Sequence, residues 1–239
     1  MPEERKYLPA GTLVRLDGQR EYVITGEPIG WGGGSILYPA QKRLWKNGAA
    51  TAEEISYVLK ECYPASLGHS FSRNQQGEII PANGSEEELR YLWQVQARQM
   101  EEGQISQRIY RTASRMLPIR DCSQRVELTI PGQTEASAAN TVTVMDSLAE
   151  KGRSLTAWMK ERGRFTPAEA FRILQQLLFA LEEVHRAGYL HLDIQDGNVF
   201  LRGTLEDKSE LVTLIDFGCA REAMDGKTAP IQDLSLIHI

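Results

Sequence analysis

The sequence lacks paired cysteines, a long hydrophobic run and an excess of positive charge. Its three cysteines, Cys62, Cys122 and Cys219, form no C-x-x-C pair, so the sequence indicates neither a disulfide framework nor a zinc site. No apolar run approaches the roughly 18 to 20 residues that cross a bilayer, and residues 1–10 are too polar for a signal peptide. We therefore expect no membrane segment in this chain and a cytoplasmic location.

The charge balance argues against polyanionic partners. Lys and Arg number 27 against 32 Asp and Glu, a net charge of -5 at pH 7, which gives no general attraction to phosphate backbones. We expect no nucleic-acid partner, and the oligomeric state stays open. With 239 residues, 41% of them hydrophobic and 25% charged, the chain has the composition of a globular protein with one or two compact units.

The first part of the chain is predicted to be a β-sheet that carries one helix. Short β-rich runs at 12–16, 21–25, 36–38 and 57–59 alternate with turns, as in an antiparallel meander. Ser85 and Glu88 form a capping-box pair before a proline-free stretch, which predicts one long helix to about Met116. Segments 126–130 and 141–145 are predicted to be further strands of the same sheet.

The second part is predicted to be mainly helical. Thr166, Pro167 and Glu169 are an N-cap, a first-turn proline and a capping-box acid. Leucines then recur at helical spacing until Gly188, which has the position of a C′ glycine. Two apolar segments, 199–201 and 211–215, are predicted to pair as a hairpin. This order predicts an α+β protein with two lobes and a crevice between them.

Two features of the first part could contact phosphate. A glycine cluster, Gly30 to Gly34, lies between two predicted strands, where its backbone could approach phosphate closely; a flexible hairpin tip is the alternative. Because a strand and not a helix follows, a dinucleotide fold is not favoured. Lys60 lies near the end of a predicted strand, where its ammonium could bind phosphate oxygens, although a lone lysine is usually a surface residue.

Oxygen ligands for a cation follow in two loops of the second part. Asp193 and Asn198 are five residues apart after the predicted helix, and Asp216, Phe217 and Gly218 end the second hairpin strand. Two oxygen ligands and a separate carboxylate on adjacent loops are what magnesium-assisted phosphoryl transfer requires. Each piece alone could be a turn or a cap.

Together and in this order, the four motifs resemble the protein kinase family, in particular the eukaryotic-like serine/threonine protein kinases of bacteria, from about Gly11 to Ala220. The resemblance implies a two-lobe α+β fold with a complete, antiparallel, β-rich N-lobe that carries one long helix. It also implies an incomplete, mainly helical C-lobe. We expect the N-lobe with its hinge at 1–148, the partial C-lobe at 149–232 and a non-native tail at 233–239.

The resemblance also implies ATP and Mg²⁺ as cofactors and a protein Ser or Thr as acceptor. The nucleotide-binding positions that it implies are Ile29, Gly30, Gly32, Gly33, Gly34, Ser35, Leu37, Lys60, Met145, Asp146 and Leu148. Lys60 would contact the α and β phosphates, with Glu102 as its partner because Ile105 and Ile109 continue one helical stripe; Glu101 is the alternative. Residues 145–148 would accept adenine through their backbone.

In the second lobe, Asp193 would be the catalytic base, and Asn198 and Asp216 would be the magnesium ligands. Two positions depart from the family pattern. Leu192 replaces an arginine that anchors a phosphorylated activation segment, so we expect activation by such phosphorylation to be less important here. Gln195 replaces a lysine that neutralises the transferring phosphoryl group. These departures keep a nucleotide-binding pseudokinase as an alternative.

A small-molecule phosphotransferase is a second alternative, because it shares the Asp193 and Asn198 pattern; the glycine-rich hairpin and Asp216 to Gly218 favour the protein kinase. The chain ends soon after Gly218, so we expect a fragment without activity. We also expect exposed apolar side chains on the predicted helix that ends at Gly188. These are Leu174, Leu177, Leu178, Phe179 and Leu181.

Overall fold

The computed structural model describes residues 5–17, 20–46, 49–65, 68–113, 115–116, 119–148, 152–205 and 208–223. The tail expected at 233–239 lies outside these ranges. Within the described part of the chain, no helix is both long enough and apolar enough to span a membrane.

The elements fall into a strand-rich first part and a shorter second part. In chain order, the first part contains β1 (Leu13–Leu16), β2 (Glu21–Ile24), β3 (Gly30–Trp31), β4 (Ser35–Lys46), β5 (Ala49–Cys62), β6 (Phe71–Arg73), β7 (Ile79–Pro81), α1 (Glu86–Tyr110), β8 (Ile119–Ser123), β9 (Val126–Thr129), β10 (Ala136–Ala138) and β11 (Val142–Asp146). The second part contains β12 (Gly152–Ser154), α2 (Leu155–Arg162), α3 (Pro167–Arg186), β13 (Tyr189–Leu190), β14 (Val199–Arg202), β15 (Leu211–Leu214) and β16 (Arg221–Glu222).

Nine strands form one sheet in the order β10-β9-β1-β2-β4-β5-β11-β8, with β3 paired to β4. All the pairings are antiparallel. The predicted meander is confirmed, but β4 and β5 are far longer than the predicted segments 36–38 and 57–59. They stay paired from Ser35 opposite Cys62 to Lys46 opposite Ala49. The length of β4 could not be predicted, because Pro39 and the basic residues that follow it are not typical of a strand.

The two later predicted strands also join this sheet, on opposite sides of it. Strand β9 pairs with β1, whereas β11 pairs with β5 and β8. Three strands of the sheet, β3, β8 and β10, were not predicted. Strand β3 is only two residues long, the polar sequence of β8 gives no alternating pattern, and β10 lies in a run of small residues between the predicted strands 126–130 and 141–145. These strands form because neighbouring strands offer edges to pair with, and the β-propensity of a single segment does not predict such pairing.

Helix α1 starts where predicted and ends earlier. The Ser85 side chain accepts a hydrogen bond from the Glu88 backbone N–H at 3.4 Å, but the Glu88 carboxylate accepts from the Ser70 N–H at 2.8 Å. The predicted capping box is therefore only half formed. The helix ends at Tyr110 and not near Met116, because the Arg115 carbonyl accepts from the Leu214 N–H at 3.0 Å. A tertiary contact thus replaces the last helical turns.

Helix α3 confirms its predicted signals. The Thr166 and Glu169 capping box is complete, and Gly188 follows the C-cap with a φ of 87°. Of the five apolar side chains expected to be exposed, Leu174, Leu178 and Phe179 are exposed. The expectation was wrong for the other two, Leu177 and Leu181, which are half-buried against the core described next. Helix α2 was missed, although Ser154 and Gly163 are its caps.

The molecule has two hydrophobic cores. The sheet core is built on side chains of the large sheet such as Tyr22, Ile36 and Leu59. The helix core is built on α3 and the β14–β15 hairpin. Helix α1 belongs to both, because Leu92 packs in the sheet core, whereas Ile105 and Ile109 pack in the helix core. The chain therefore has two compact parts that share one helix.

A buried ion pair holds the small β6–β7 hairpin on the sheet. Glu61 and Arg73 are joined by bonds of 2.6 and 2.9 Å, and their side chains are only 2% and 6% exposed. Tyr38 and Asn140 donate to the same carboxylate, each at 2.9 Å. Every oxygen of the buried acid is thus satisfied, which is the condition under which a buried charge is tolerated.

Replacement of Arg73 by methionine is expected to lower the free energy of unfolding by about 3 to 5 kcal/mol, because Glu61 would keep a buried charge without its cation. Chemical denaturation measures this change. The matched control is Arg186→Met, which breaks an exposed pair with Glu182 whose side chains are 71% and 57% exposed. That change is expected to stay within about 0.5 kcal/mol. Equal effects of the two substitutions would contradict the prediction.

Candidate active site

The glycine cluster forms the turn between β3 and β4. Gly30 and Trp31 pair with Leu37 and Ile36, and the turn closes through a 2.9 Å bond from the Gly32 N–H to the Ser35 carbonyl. The carbonyls of Gly33 and Gly34 accept from the Ala65 and Tyr63 N–H groups. Within the described residues, the N–H groups of Gly33 and Gly34 have no hydrogen-bond acceptor. The turn therefore presents free backbone donors, which suit an anion.

Lys60 and Glu102 form a close ion pair between β5 and α1. The Lys60 Nζ donates to both carboxylate oxygens, at 2.8 and 2.7 Å. Burial alone lowers the pKa of Lys60, but the carboxylates of Glu102 and Asp216 outweigh it and raise that pKa above 10.5. Burial raises the pKa of Glu102, and the Lys60 ammonium opposes the rise. Glu101, the alternative partner, is exposed.

The β14–β15 hairpin brings Asn198 and Asp216 to one end of the second part. Val199 pairs with Leu214, and the next pair is joined by a 3.0 Å bond from the Ile215 N–H to the Asn198 carbonyl. Asp216 follows with a φ of 61°, and its carboxylate accepts from the Gly218 N–H at 3.2 Å. A Cβ on residue 218 would lie 3.2 Å from the Asp216 Oδ1 and 3.7 Å from the Glu102 Oε2. Glycine at 218 thus leaves room for the Asp216 carboxylate close beside the backbone of residue 218.

Two amides hold the carboxylate of Asp193. The Asn198 amide donates to its Oδ2 at 2.8 Å and to the Asp193 carbonyl at 3.0 Å. The Gln195 amide donates to both carboxylate oxygens, at 3.0 and 3.2 Å. Leu192, just before the acid, has a φ of 61° and is 53% exposed. The loop is therefore tightly turned, and the acid and Asn198 are one hydrogen-bonded unit.

His191 ties this loop to the end of β15. Its Nε2 lies 3.1 Å from the Ile215 carbonyl, and its Nδ1 accepts from the Asp193 N–H at 3.3 Å. Phe217 packs on the imidazole with 4.5 Å between ring centroids. Burial lowers the pKa of His191 below 6.5, although the Ile215 carbonyl and nearby carboxylates oppose the change. A neutral ring with its proton on Nε2 satisfies both contacts.

One cavity of about 390 Å³ lies between the glycine turn, α1 and the end of the hairpin. Seven of the predicted nucleotide-binding residues line it. They are Gly32, Gly33, Gly34, Ser35, Leu37, Lys60 and Met145. Glu102 and Asp216 also line it, so the ion pair and a candidate metal ligand face the same space.

Four predicted nucleotide-binding residues do not line this cavity. They are Ile29, Gly30, Asp146 and Leu148. Ile29 is 54% exposed at the turn, and Gly30 packs on Leu37. The Asp146 carboxylate is held by Arg120 through two bonds of 2.6 Å, and Leu148 is buried. Asp193 and Asn198 also lie outside the cavity wall, on the adjoining loop.

Sequence reasoning missed several residues that line the cavity. Val95, Arg98, Gln99 and Ser106 come from α1, and Ile119 and Ile215 come from strand ends. Helical spacing could have identified the residues of α1. Val95, Arg98 and Gln99 lie seven, four and three residues before Glu102, and Ser106 lies four after it, so all four share one face of the helix with Glu102. Ile119 had no such signal. Arg98 has no ion-pair partner among the described residues.

The oxygen ligands of the site suit a cation that is also bound by its substrate. Among the described residues, no group of three or more His, Cys, Asp and Glu side chains is placed to hold a metal ion. A dedicated protein cage for a metal is therefore not seen there. Mg²⁺ commonly binds through one or two protein oxygens together with substrate phosphates, and the Asn198 and Asp216 oxygens fit that pattern.

A larger concavity of about 470 Å³ lies by β1, β2 and β9. Three of its charged residues are already paired, since Arg15 binds Glu21 and Glu127 at 2.9 and 2.7 Å. It offers no comparable set of converging polar groups, so the smaller cavity beside Lys60 is the candidate site.

Known proteins resemble this chain over about a third of its length. "Probable serine/threonine-protein kinase zyg-1" of Caenorhabditis elegans is 37% identical over 78 residues, which is 33% of this chain and 11% of that protein. Serine/threonine-protein kinase PknD of Mycobacterium tuberculosis is 38% identical over 74 residues, 31% of this chain and 10% of that protein. "Probable serine/threonine-protein kinase PknB" of Corynebacterium glutamicum is 36% identical over 87 residues, 36% of this chain and 13% of that protein. The matched part spans about a tenth of the length of these relatives.

The family model named protein kinase domain matches residues 98–235. This range is more than half of the chain, and it contains Glu102, the loop of Asp193 and Asn198, and Asp216. Because the family model matches more than half of the chain, this chain belongs to the protein kinase domain family.

Proposed function

We propose that the chain carries the catalytic centre of an enzyme that transfers the γ-phosphoryl group of ATP, with Mg²⁺, to a Ser or Thr hydroxyl of a protein. One observation carries the proposal: the Lys60 and Glu102 pair, Asp216 and the glycine turn all face one cavity. Phosphoryl transfer depends mainly on positioned charges of this kind.

Each side chain has a role that fits its contacts. Lys60, held by Glu102, would bind the α and β phosphates, and the free N–H groups of Gly33 and Gly34 would face the triphosphate. Residues 145–148 would accept adenine through their backbone. Asn198 and Asp216 would hold Mg²⁺, which supplies positive charge against the β and γ phosphates when bound.

Asp193 would orient the acceptor hydroxyl and take its proton. Its half-buried carboxylate is fixed by the Asn198 and Gln195 amides, and His191 holds its backbone. The acid thus has a defined direction, which a general base requires. Because the loop bonds to Ile215, the acid and the Asp216 carboxylate are positioned by the same hairpin.

A nucleotide-binding pseudokinase is the second candidate, and Gln195 is the observation that favours it. Its amide occupies both oxygens of Asp193 and brings no positive charge towards a transferring phosphoryl group. A small-molecule phosphotransferase shares the Asp193 and Asn198 pattern, but the protein kinase family match supports protein acceptors. Labelled ATP and generic protein acceptors, offered to a longer protein that contains this chain, discriminate between the three.

Replacement of Asp193 by asparagine is expected to lower turnover by about 10²- to 10⁴-fold, because the hydroxyl proton loses its acceptor. The dissociation constant for ATP should change little, since Asp193 does not line the nucleotide cavity. The control is Asp196→Asn, three residues on, where the carboxylate accepts from the Thr156 hydroxyl at 2.8 Å and does not contact Asp193 or Asn198 among the described bonds. Radioactive transfer and equilibrium binding are measured in parallel. Unchanged turnover in Asp193→Asn would remove Asp193 from the mechanism.

Replacement of Gln195 by lysine is expected to raise kcat by about tenfold, because an ammonium there would face the phosphoryl group during transfer. The matched control is Gln195→Met, which removes the bonds to Asp193 without adding charge and should not raise kcat. Steady-state kinetics with saturating ATP measure both. Nucleotide binding with no transfer in either variant or in the parent chain would favour the pseudokinase.

His191 should make the folded chain less stable in mild acid. Its pKa in the fold lies below 6.5, so the unfolded chain takes up this proton at a higher pH than the folded chain. The stability from the neutral ring is complete above about pH 6.5 and is lost as the pH falls through the folded-state pKa.

Urea unfolding of the parent chain and of His191→Asn at about pH 7.5 and about pH 5.5 measures this effect. The variant should be less stable at both values but should lose less stability between them. His185→Asn, at an exposed position on α3, is the control and should behave as the parent. An equal loss in the parent and in His191→Asn would show that other groups cause the acid sensitivity.

A further inference from the structure

Three polar side chains follow one another at three-residue spacing on the buried face of α1. Gln96, Gln99 and Glu102 are only 8%, 6% and 9% exposed. A helix that packs on a sheet usually buries apolar side chains there, and a buried amide must find hydrogen-bond partners. The Glu102 contact belongs to the site already described, but the two amides have no role in it so far.

Gln99 bonds to two strands of the sheet, and Gln96 bonds to the segment between β10 and β11. The Gln96 Nε2 donates to the Ala139 carbonyl at 2.9 Å. The Gln99 Nε2 donates to the Lys60 carbonyl at 2.8 Å and to the Thr143 Oγ1 at 3.3 Å. Gln99 therefore binds the backbone of the residue whose ammonium binds Glu102, one helical turn further on.

The helix approaches the sheet closely at the same level. A Cβ on Gly103 would lie 3.3 Å from the Cys122 Cβ and 3.4 Å from its Sγ. Glycine at 103 thus allows α1 to lie close to the sheet, and at that distance the Gln99 amide can reach the Lys60 carbonyl. A small outward movement of α1 would break the Gln99 bonds and the Lys60 to Glu102 bonds together.

We propose that Gln99, supported by Gln96, is a positioning residue that holds α1 against β5 and so keeps Glu102 on Lys60 before any nucleotide binds. The proposal rests on the proposed function, because it assigns importance to the Lys60 ammonium. It explains how the pair is assembled although Leu192, 53% exposed, offers no cation to an activation-segment phosphate. The helix position is set by side-chain amides of the helix itself.

A purely structural role for Gln99 makes a different prediction. In that case its loss would lower stability and would act independently of Glu102. A positioning role requires the two residues to be coupled, because Gln99 acts on catalysis only through the Lys60 to Glu102 contact. A double-mutant cycle separates the two cases.

The first experiment compares kcat/KM for ATP in the parent chain, Gln99→Leu, Glu102→Gln and the double variant. Gln99→Leu should lower kcat/KM by about three- to tenfold in the parent, the effect of losing one or two hydrogen bonds, and by less than about twofold in the Glu102→Gln background. The control is Gln94→Leu, the same change at an exposed position of α1, which should have no effect. Equal fold losses in both backgrounds would overturn the proposal.

The second experiment does not depend on activity. Amide hydrogen exchange is measured by mass spectrometry for the nucleotide-free parent, Gln94→Leu, Gln99→Leu and Gln99→Asn. Asparagine keeps an amide but is one methylene shorter, so it serves if the leucine variant does not fold. Exchange in 92–105 should rise by about three- to tenfold in the Gln99 variants and stay unchanged in α3.

A rise spread equally over α1 and α3 would show a general loss of stability and would overturn the positioning role, as would no rise in 92–105. A parent chain that does not bind ATP would refute the proposed function. The exchange comparison would still decide whether Gln99 holds α1.

Discussion

The ion pair between Lys60 and Glu102 is the contact on which the arrangement of the cleft depends. Two charges removed from water lose several kcal/mol of hydration each, and only a close partner compensates for that loss. At 2.7 Å the pair is well formed, and its side chains are 18% and 10% exposed. The pair therefore forms only when α1 lies close to β5, because a displaced helix would leave two nearly buried charges without partners.

Helix α1 carries this constraint from one part of the molecule to the other. Its first half packs in the sheet core through Leu92, and its second half packs in the helix core through Ile105 and Ile109. Glu102 lies between these two regions. The helix core also contains Phe217, which rests on His191, and His191 holds the backbone of Asp193. Packing thus links the ion pair to the loop of the candidate base without a direct contact between them.

The sequence predicted those features whose signals are local. The glycine turn, the caps of α3 and the hairpin that presents Asn198 and Asp216 are encoded within a few residues, so their positions could be inferred from the chain alone. Glu102 could be chosen over Glu101 because helical spacing places it with Ile105 and Ile109. The same spacing, continued backwards, would have found Gln99 and Arg98.

Features set by distant contacts could not be predicted in this way. The end of α1 at Tyr110 depends on a bond between Arg115 and Leu214, and β8 exists because β11 offers an edge for it. The orientation of Asp146 away from the cavity wall depends on Arg120, which lies 26 residues earlier. Such contacts override local propensity and leave no periodic trace in the sequence.

The charges of the cleft decide how a triphosphate could be held there. Of the described residues that line the cavity, Lys60 and Arg98 are cationic, and Glu102 and Asp216 are anionic. Lys60 is already neutralised by Glu102, and Asp193 adds a further negative charge on the adjoining loop. This wall alone gives a multiply charged anion little net attraction. The proposed nucleotide must therefore bring its own cations, and the Asn198 and Asp216 oxygens, at one end of the β14–β15 hairpin, are the groups proposed to bind them. Gln195 contributes no charge. The negative charge of the transferring phosphoryl group would therefore be neutralised mainly by the cations and Arg98, whereas a lysine at position 195 would neutralise part of it.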